Sequence, residues 1–244
     1  MKITFLGTSH GFAEAGRFQS STLVEVRGKS YIIDAGAPVE YQMATLGKDF
    51  GSIRGIFITH AHLDHIGGLP QLIAPLLRYR YNDKCTCFIS DEEVAKAFDT
   101  WMAFNTCDIE HMKKVIKFEI TKPGLIFDDG NIKVTAFRTA HFNHETRFSF
   151  GYLIDDGEKK VLFTGDIGYG FGDYEEVTKG SYDLVICEMA HADLCNVWEM
   201  MAKTDTKKMI INHYHMPRLE GYEEIFRKMP FDTQLSYDNL EIII

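Results

Sequence analysis

The segment Thr59-His60-Ala61-His62-Leu63-Asp64-His65 constrains this chain more than any other. It follows the apolar run Ile56-Phe57-Ile58 and leads into Gly67-Gly68, so a β-strand is expected to end where the imidazoles begin. Residues two apart on a strand share a face, which lets His60 and His62 reach one ion. Asp64 and His65 come where the chain turns, and from there they can face a second ion. A surface loop has no stability reason to gather three imidazoles and a carboxylate. The segment reads as half of a two-metal site.

The other half is sought at the ends of further apolar strands. Asp34 closes Tyr31-Ile32-Ile33, His141 closes the run over 132–140, Asp166 follows Val161-Leu162-Phe163-Thr164-Gly165, and His213 follows Met209-Ile210-Ile211-Asn212. Each is an apolar strand with one polar side chain at its edge, which holds functional groups on a rigid scaffold.

The rest of the chain sets the frame. Its 244 residues suit one large domain or two small ones, and no Pro/Gly/Ser linker, charge block or low-complexity tract divides them. One domain over 1–244 is therefore expected. Short β-type runs at 2–6, 22–26, 31–34 and 55–59 form a first strand-rich stretch, with helices over 38–46, 69–81 and 92–104, the last capped by Asp91. A second stretch starts near residue 115 and includes strands at 117–121, 132–139, 149–154, 160–164, 184–187 and 208–212. Helices follow over 196–202 and 221–228, then an apolar tail at 240–244. Two such halves suggest two packed sheets with helices outside. The net charge of −9 argues against broad electrostatic binding of nucleic acid. The N-terminal apolar run is too short for a signal peptide, and nothing approaches the ~18 apolar residues of a membrane helix. Five cysteines, an odd count without framework spacing, point to a reducing cytoplasm.

On these motifs the chain resembles the metallo-β-lactamase superfamily of hydrolases, and within it the RNase Z-like branch. The segment from Thr59 to His65 resembles the superfamily signature. Phe5-Leu6-Gly7-Thr8-Ser9 and His65-Ile66-Gly67-Gly68-Leu69-Pro70 are similar to RNase Z in particular, and Phe163-Thr164-Gly165-Asp166 and Asn212-His213 match later motifs in order. The resemblance implies an α/β fold, the four-layered αββα sandwich, with metals at one edge. It also implies that His60, His62 and His141 bind one ion, that Asp64, His65 and His213 bind the other, and that Asp166 bridges them. Imidazole and carboxylate suit Zn²⁺, with Mn²⁺ or Fe²⁺ as alternatives. Such a pair polarises a phosphoryl or acyl oxygen and activates water near neutral pH. Asp64 is also placed to orient or deprotonate that water. Asp34 is expected to accept a hydrogen bond from a ligand histidine. His141 directly ends its strand and is preferred over His144, which a longer gap in the following loop would favour.

Several features carry two readings. Glu188-Met189-Ala190-His191 resembles the region where RNase Z-like enzymes keep a Glu–His pair that protonates the leaving group. The family has the His before the Glu, where Cys187 stands here, so His191 is a candidate general acid set against a structural role. Cys85-x-Cys87 fits an alternating strand better than a metal pair. Arg78-Tyr79-Arg80-Tyr81 with Lys84 could meet RNA or a partner subunit, or be a solvated helix end. The loop Gly168-Tyr169-Gly170-Phe171-Gly172 is a candidate lid or an ordinary turn. His10 and His215 either contact substrate or face solvent, and His111 reads as surface.

The resemblance makes phosphodiester hydrolysis the leading reaction. RNase Z enzymes that trim tRNA carry a Gly/Pro-rich arm, whereas 71–117 here has a single proline and no glycine. A small, nucleotide, cyclic or aryl phosphodiester therefore ranks above pre-tRNA, and nucleic acid is not favoured. An acyl hydrolase (lactonase or thioesterase) and a non-catalytic metal scaffold are the alternatives. Dimers are common among such enzymes, so a homodimer enters by analogy.

Overall fold

Consecutive apolar residues along a strand mean that both faces of its sheet are covered. The computed structural model, which describes residues 1–79, 84–105, 108–142 and 146–244, shows that arrangement twice. The first part of the chain runs β1 (Lys2–Gly7), β2 (Ser21–Val26), β3 (Lys29–Ile33), α1 (Val39–Thr45), β4 (Ile53–Phe57), α2 (Leu63–Ile66), α3 (Leu69–Tyr79), β5 (Cys85–Ile89), α4 (Glu92–Phe104), α5 (Ile109–Val115) and β6 (Ile116–Ile120). It continues through β7 (Gly124–Asp128), β8 (Lys133–Arg138), β9 (Phe150–Asp155), β10 (Lys160–Phe163), α6 (Tyr174–Val177), the two-residue β11 (Ser181–Tyr182) and β12 (Leu184–Met189). Then come α7 (Leu194–Met201), β13 (Asp205–Thr206), β14 (Lys208–Tyr214), α8 (Tyr222–Lys228), β15 (Asp232–Leu235) and β16 (Glu241–Ile243).

Among the described residues one sheet has the order β16-β1-β2-β3-β4-β5-β6 and the other β15-β14-β12-β10-β9-β8-β7. In each, antiparallel strands on one side give way to parallel strands on the other, at β3–β4 and at β10–β12. Side chains alternate between two apolar layers. Tyr31, Ile33 and Phe57 of the first sheet meet Tyr152, Ile154 and Phe163 of the second, while Ile32 and Ile56 face Leu72 and Ile73 of α3. Leu162, Val185 and Ile211 face Leu194, Val197 and Met201 of α7. The result is the αββα sandwich expected from sequence. β3, β4, β8, β10, β12 and β14 all end at the same edge, which is where parallel crossovers leave room for a site.

The structure corrects the sequence reading in four places. The second stretch starts at β7 rather than near residue 115, because β6 pairs in parallel with β5 and belongs to the first sheet. The apolar tail forms β16 against β1, with Lys2 opposite Ile243. Asp91 stands at the N-cap of α4 without capping it, and its Oδ2 accepts from Ser90 Oγ at 2.6 Å. β4 stops at Phe57, so His60 and His62 are not strand neighbours; His60 is in the loop and His62 is the N-cap of α2. Cys85 and Cys87 are both buried under the helices as the strand reading requires, and burial pushes the Cys85 thiol up to about 12, an inert form. Arg80, Tyr81, Cys107 and His144 lie outside the described residues.

Candidate metal centre

Backbone close approach builds the floor of the site. Asp34, just beyond β3, takes a left-handed φ of 59°, uncommon for a residue with a side chain but tolerated by aspartate. The following Ala35 donates to His65 O at 2.6 Å and accepts from Gly68 N at 2.7 Å. The loop after β3 is thereby tied to α2, the turn that carries Asp64 and His65.

Asp34 then does what its position suggested. Its Oδ2 accepts from His65 Nδ1 at 2.7 Å and its Oδ1 from Thr59 N at 2.7 Å. Thr59 Oγ1 lies 3.0 Å from both Asp34 oxygens and 3.0 Å from His60 Nδ1. The single hydroxyl proton goes to the carboxylate, so the hydroxyl oxygen accepts from His60 Nδ1–H. One buried carboxylate therefore sets the tautomers of both His60 and His65 and turns each Nε2 lone pair toward the site.

The seven residues expected as ligands form two adjoining groups. In the first, His62 Nδ1 is 3.0 Å from His60 Nε2 and 3.2 Å from His141 Nε2. In the second, His65 Nε2, His213 Nε2 and Asp64 Oδ2 stand 3.0 to 3.2 Å apart. Asp166 lies between them, with Oδ2 3.6 Å from His60 Nε2 and Oδ1 3.4 Å from His65 Nε2. Corners of a tetrahedron around an ion with Zn–N bonds of 2.0–2.1 Å are about 3.3 Å apart. Buried lone pairs this close repel one another unless positive charge lies between them. Asp166 Oδ1 makes no hydrogen bond among the described residues despite being buried. Donor types, spacing and this orphaned oxygen together fit a pair of divalent ions.

His213 reaches the site by an irregularity. Glu188 and Met189 of β12 pair with Asn212 and Tyr214, leaving His213 as an extra residue in β14 with φ of 45°. A bulge of this kind re-aims one side chain, here away from the ladder and onto Asp64. His213 therefore lies within its strand, not beyond it.

The electrostatics differ between the two groups. Burial pushes His60 well below the usual imidazole range and His141 down to about 4, so both present free lone pairs. Burial would also depress His65, but Asp166 and Asp34 outweigh it and raise its pKa well above normal. Facing histidines, His213 first and then His65 and His60, overcome desolvation and hold Asp166 well below the usual carboxylate range.

Beside the first group, Glu188 is buried and accepts from Ile167 N, Ala190 N and His191 N. His191 Nδ1 donates to its Oε1 at 2.9 Å. Although burial lowers the His191 pKa, Glu188 more than compensates and raises it. The His191 ring stands 4.6 Å from that of His141. The His191 side chain is thus paired with Glu188 at the site, even though Cys187 occupies the family's histidine position.

The opposite wall holds His10 and His215, for which the sequence left substrate contact and solvent exposure open. His10 and His215 stack with centroids 4.5 Å apart, and His10 Nδ1 is 3.5 Å from Glu14 Oε1. His10 is mostly buried, with 13% of its side chain exposed, so simple solvent exposure does not describe it. These residues, with Phe12, Tyr169, His191 and Arg218, surround a cleft of about 520 Å³ that opens onto Asp64, Asp166 and His213. The candidate lid divides into two roles. Phe171 is fully buried against Tyr174, and only Tyr169 projects, 80% exposed. His111 sits in the first turn of α5, half-buried, its N–H bonded to Asp108.

A family profile described as Anti-Pycsar protein Apyc1 matches residues 1–237. A Ribonuclease Z of Listeria monocytogenes serotype 4b (strain CLIP80459) is 30% identical over 163 residues, covering 66% of this chain and 51% of that relative. The chain thus spans about half the length of that relative. An Anti-Pycsar protein Apyc1 of Bacillus phage vB_BsuM-Goe3 is 28% identical over 186 residues, 68% of this chain and 67% of the relative. The metallo-beta-lactamase fold protein YhfI from Bacillus subtilis superposes with a TM-score of 0.77 at 16% identity, over 99% of both chains.

Proposed function

The chain belongs to the Anti-Pycsar protein Apyc1 family, within the RNase Z-like part of the metallo-β-lactamase superfamily, and from that membership we propose that it is a metal-dependent phosphodiesterase acting on a small or nucleotide phosphodiester. The domain spans 1–244. His60, His62 and His141 would hold one divalent ion, Asp64, His65 and His213 a second, with the Asp166 carboxylate available to both. Zn²⁺ leads, with Mn²⁺ or Fe²⁺ as alternatives. The observation that carries this reading is the placement of one Asp166 carboxylate between two sets of converging imidazoles.

When bound, two divalent ions would activate water and neutralise charge building on phosphorus. The protein's residues supply the rest. Asp64, on the cleft floor, orients or deprotonates the attacking water. Asp34 fixes the tautomers of His60 and His65. Glu188 holds Nδ1–H of His191, which leaves Nε2 to give its proton to the departing oxygen. The cleft volume supports a substrate near the size of a mononucleotide. Net charge of −9 and the regular elements from α3 to β6 support the same choice over a tRNA-sized one. Pre-tRNA processing is the second reading, favoured by the Ribonuclease Z relative.

The metal-loaded protein should hydrolyse bis(p-nitrophenyl) phosphate, and nucleotide diesters faster than pre-tRNA. Metal-dependent cleavage of a lactone or thioester panel with no phosphodiester turnover would sink the proposal. Bound metal by mass spectrometry with no turnover on either panel would instead indicate a non-catalytic metal scaffold. His191→Ala should slow a diester with an alkoxide leaving group by about 10²–10⁴-fold. It should slow a p-nitrophenyl ester much less, because that anion departs without protonation. Equal losses on both esters would remove the general-acid role.

A further inference from the structure

Behind the metal ligands, on the side away from the cleft, the two sheets do not close on each other. A cavity of about 30 Å³ lies between them. One wall is apolar, made by Ile33, Phe163 and Ile186 of the inter-sheet core. The others are polar. Ser20, Thr22 and Asp34 come from the edge of the first sheet, and Thr164, Glu188 and Asn212 from the edge of the second. His65 and His213 line it as well, so it adjoins the group of ligands assigned to the second ion.

Three of these polar side chains are buried with hydrogen-bonding capacity to spare. Ser20 Oγ and Thr22 Oγ1 have no partner among the described residues. Asn212 Oδ1 accepts from Ser236 Oγ at 2.7 Å, while its Nδ2 donates to nothing among the described residues. Buried hydroxyl and amide groups are nearly always paired, with protein or with ordered water. The cavity has room for the missing partners, since one buried water needs about 10–15 Å³ of such space and two therefore fit. Water suits the walls better than a cation does. The amide N–H of Asn212 can only donate, and a cation has nothing to accept it with. A water accepts from Asn212 and still has protons for a hydroxyl or carboxylate oxygen.

The two ligand groups differ in how the sheets are joined beside them. Next to the first, Phe150 N donates to Thr59 O at 2.9 Å and Tyr152 OH to Ile58 O at 2.7 Å, so β9 is bonded directly to the segment after β4. In the second, His65 belongs to the first half of the chain and His213 to β14. Arg17 reaches Tyr214 O one residue further on. Around the cavity itself, the ligands apart, no hydrogen bond between the lining residues crosses from sheet to sheet. We propose that the cavity is a binding site for two water molecules, which join β2 to β14 and so hold His65 and His213 at the spacing the second ion needs. The positioning role rests on the two-ion reading, whereas the hydration of the cavity does not.

A high-resolution crystal structure of the metal-free protein should show two ordered waters in the cavity, hydrogen-bonded to Thr22 Oγ1 and Asn212 Nδ2. A dry cavity overturns the proposal. So does an anomalous peak there after a thallium(I) soak, which would mark a monovalent-cation site. Thr22→Val then keeps the volume and removes the hydroxyl. In crystals of this variant titrated with Zn²⁺, affinity at Asp64, His65 and His213 should fall about tenfold, as losses behind a ligand do. The ion at His60, His62 and His141 should keep its wild-type occupancy, and Thr22→Ser should restore the other. Equal loss at both positions, or at neither, overturns the positioning role. Should Thr22→Val fail to fold, Ser20→Ala is read by the same two occupancies. If the wild-type protein takes up fewer than two ions, the two-ion reading fails and the positioning role with it, and the ordered waters alone decide the site.

Discussion

Replacing Asp166 with asparagine should lower turnover by on the order of 10³-fold or more and reduce bound metal below two ions per chain. Its two oxygens face different groups, Oδ2 toward His60 and His141 and Oδ1 toward His65 and His213. An amide offers one weak oxygen donor and turns its NH₂ toward imidazole nitrogens or a cation. The residue is buried, and its carboxyl is held ionised because His213, His65 and His60 outweigh the cost of desolvation. Removing that charge leaves the converging imidazoles without a counterion. Metal counting by mass spectrometry beside steady-state kinetics provides the check. Two retained ions with near-native turnover would refute the bridging role.

The second large effect is expected at a residue that binds nothing. A Cβ on Gly36 would lie 2.2 Å from Asp64 O and 2.7 Å from Ser20 O and Gln19 C, all of them backbone. No side-chain rotation relieves such contacts, so the loop after β3 and the turn bearing Asp64 must separate. Gly36→Ala should therefore cost about 3 kcal/mol, the upper end for overpacking, and lower the melting temperature by roughly 10 °C. Loss of metal should be selective. Asp64 and His65 are displaced, whereas His141 comes from the other sheet and His60 is anchored through Thr59. Thermal melts of the metal-free protein, together with metal content near one ion per chain, would bear this out. A native melting curve would mean that the close approach is easily relaxed.

How much of this was readable beforehand depends on the distance over which each feature is decided. α4 has the expected bounds because local patterning and flanking residues define it. Asp34 could be anticipated as a partner because it ends an apolar run just before Ala35-Gly36. The grouping of His141 with His60 and His62 came from family resemblance, since no spacing rule brings residue 141 to residue 62. His213 was read as following its strand because a bulge exists only relative to a neighbour, and the register of β12 against β14 is not local information. The assignment of β6 to the wrong half has the same origin: a strand's sheet is chosen by its partner, not by its composition. Asp91 does not cap α4, and its Oδ2 accepts from the adjacent Ser90. Glu14 gave no signal at all. It is a single acidic residue in a loop, and only the folded chain puts it beside His10.

The pairing of β16 with β1 has a consequence for how such a molecule is made. Lys2 faces Ile243 across that ladder, and Asp238 accepts from Thr8 Oγ1 at 2.7 Å and Phe18 N at 2.6 Å. During synthesis the N-terminal sheet emerges first, yet its outer strand keeps an open flank until the ribosome has delivered residues beyond 240. Contacts closed over so long a sequence separation form late and slowly. A nascent chain stalled short of that point would present a bare β-edge to its neighbours, so chaperone capture should rise with stalling before residue 238 and fall once the last strand is free to dock.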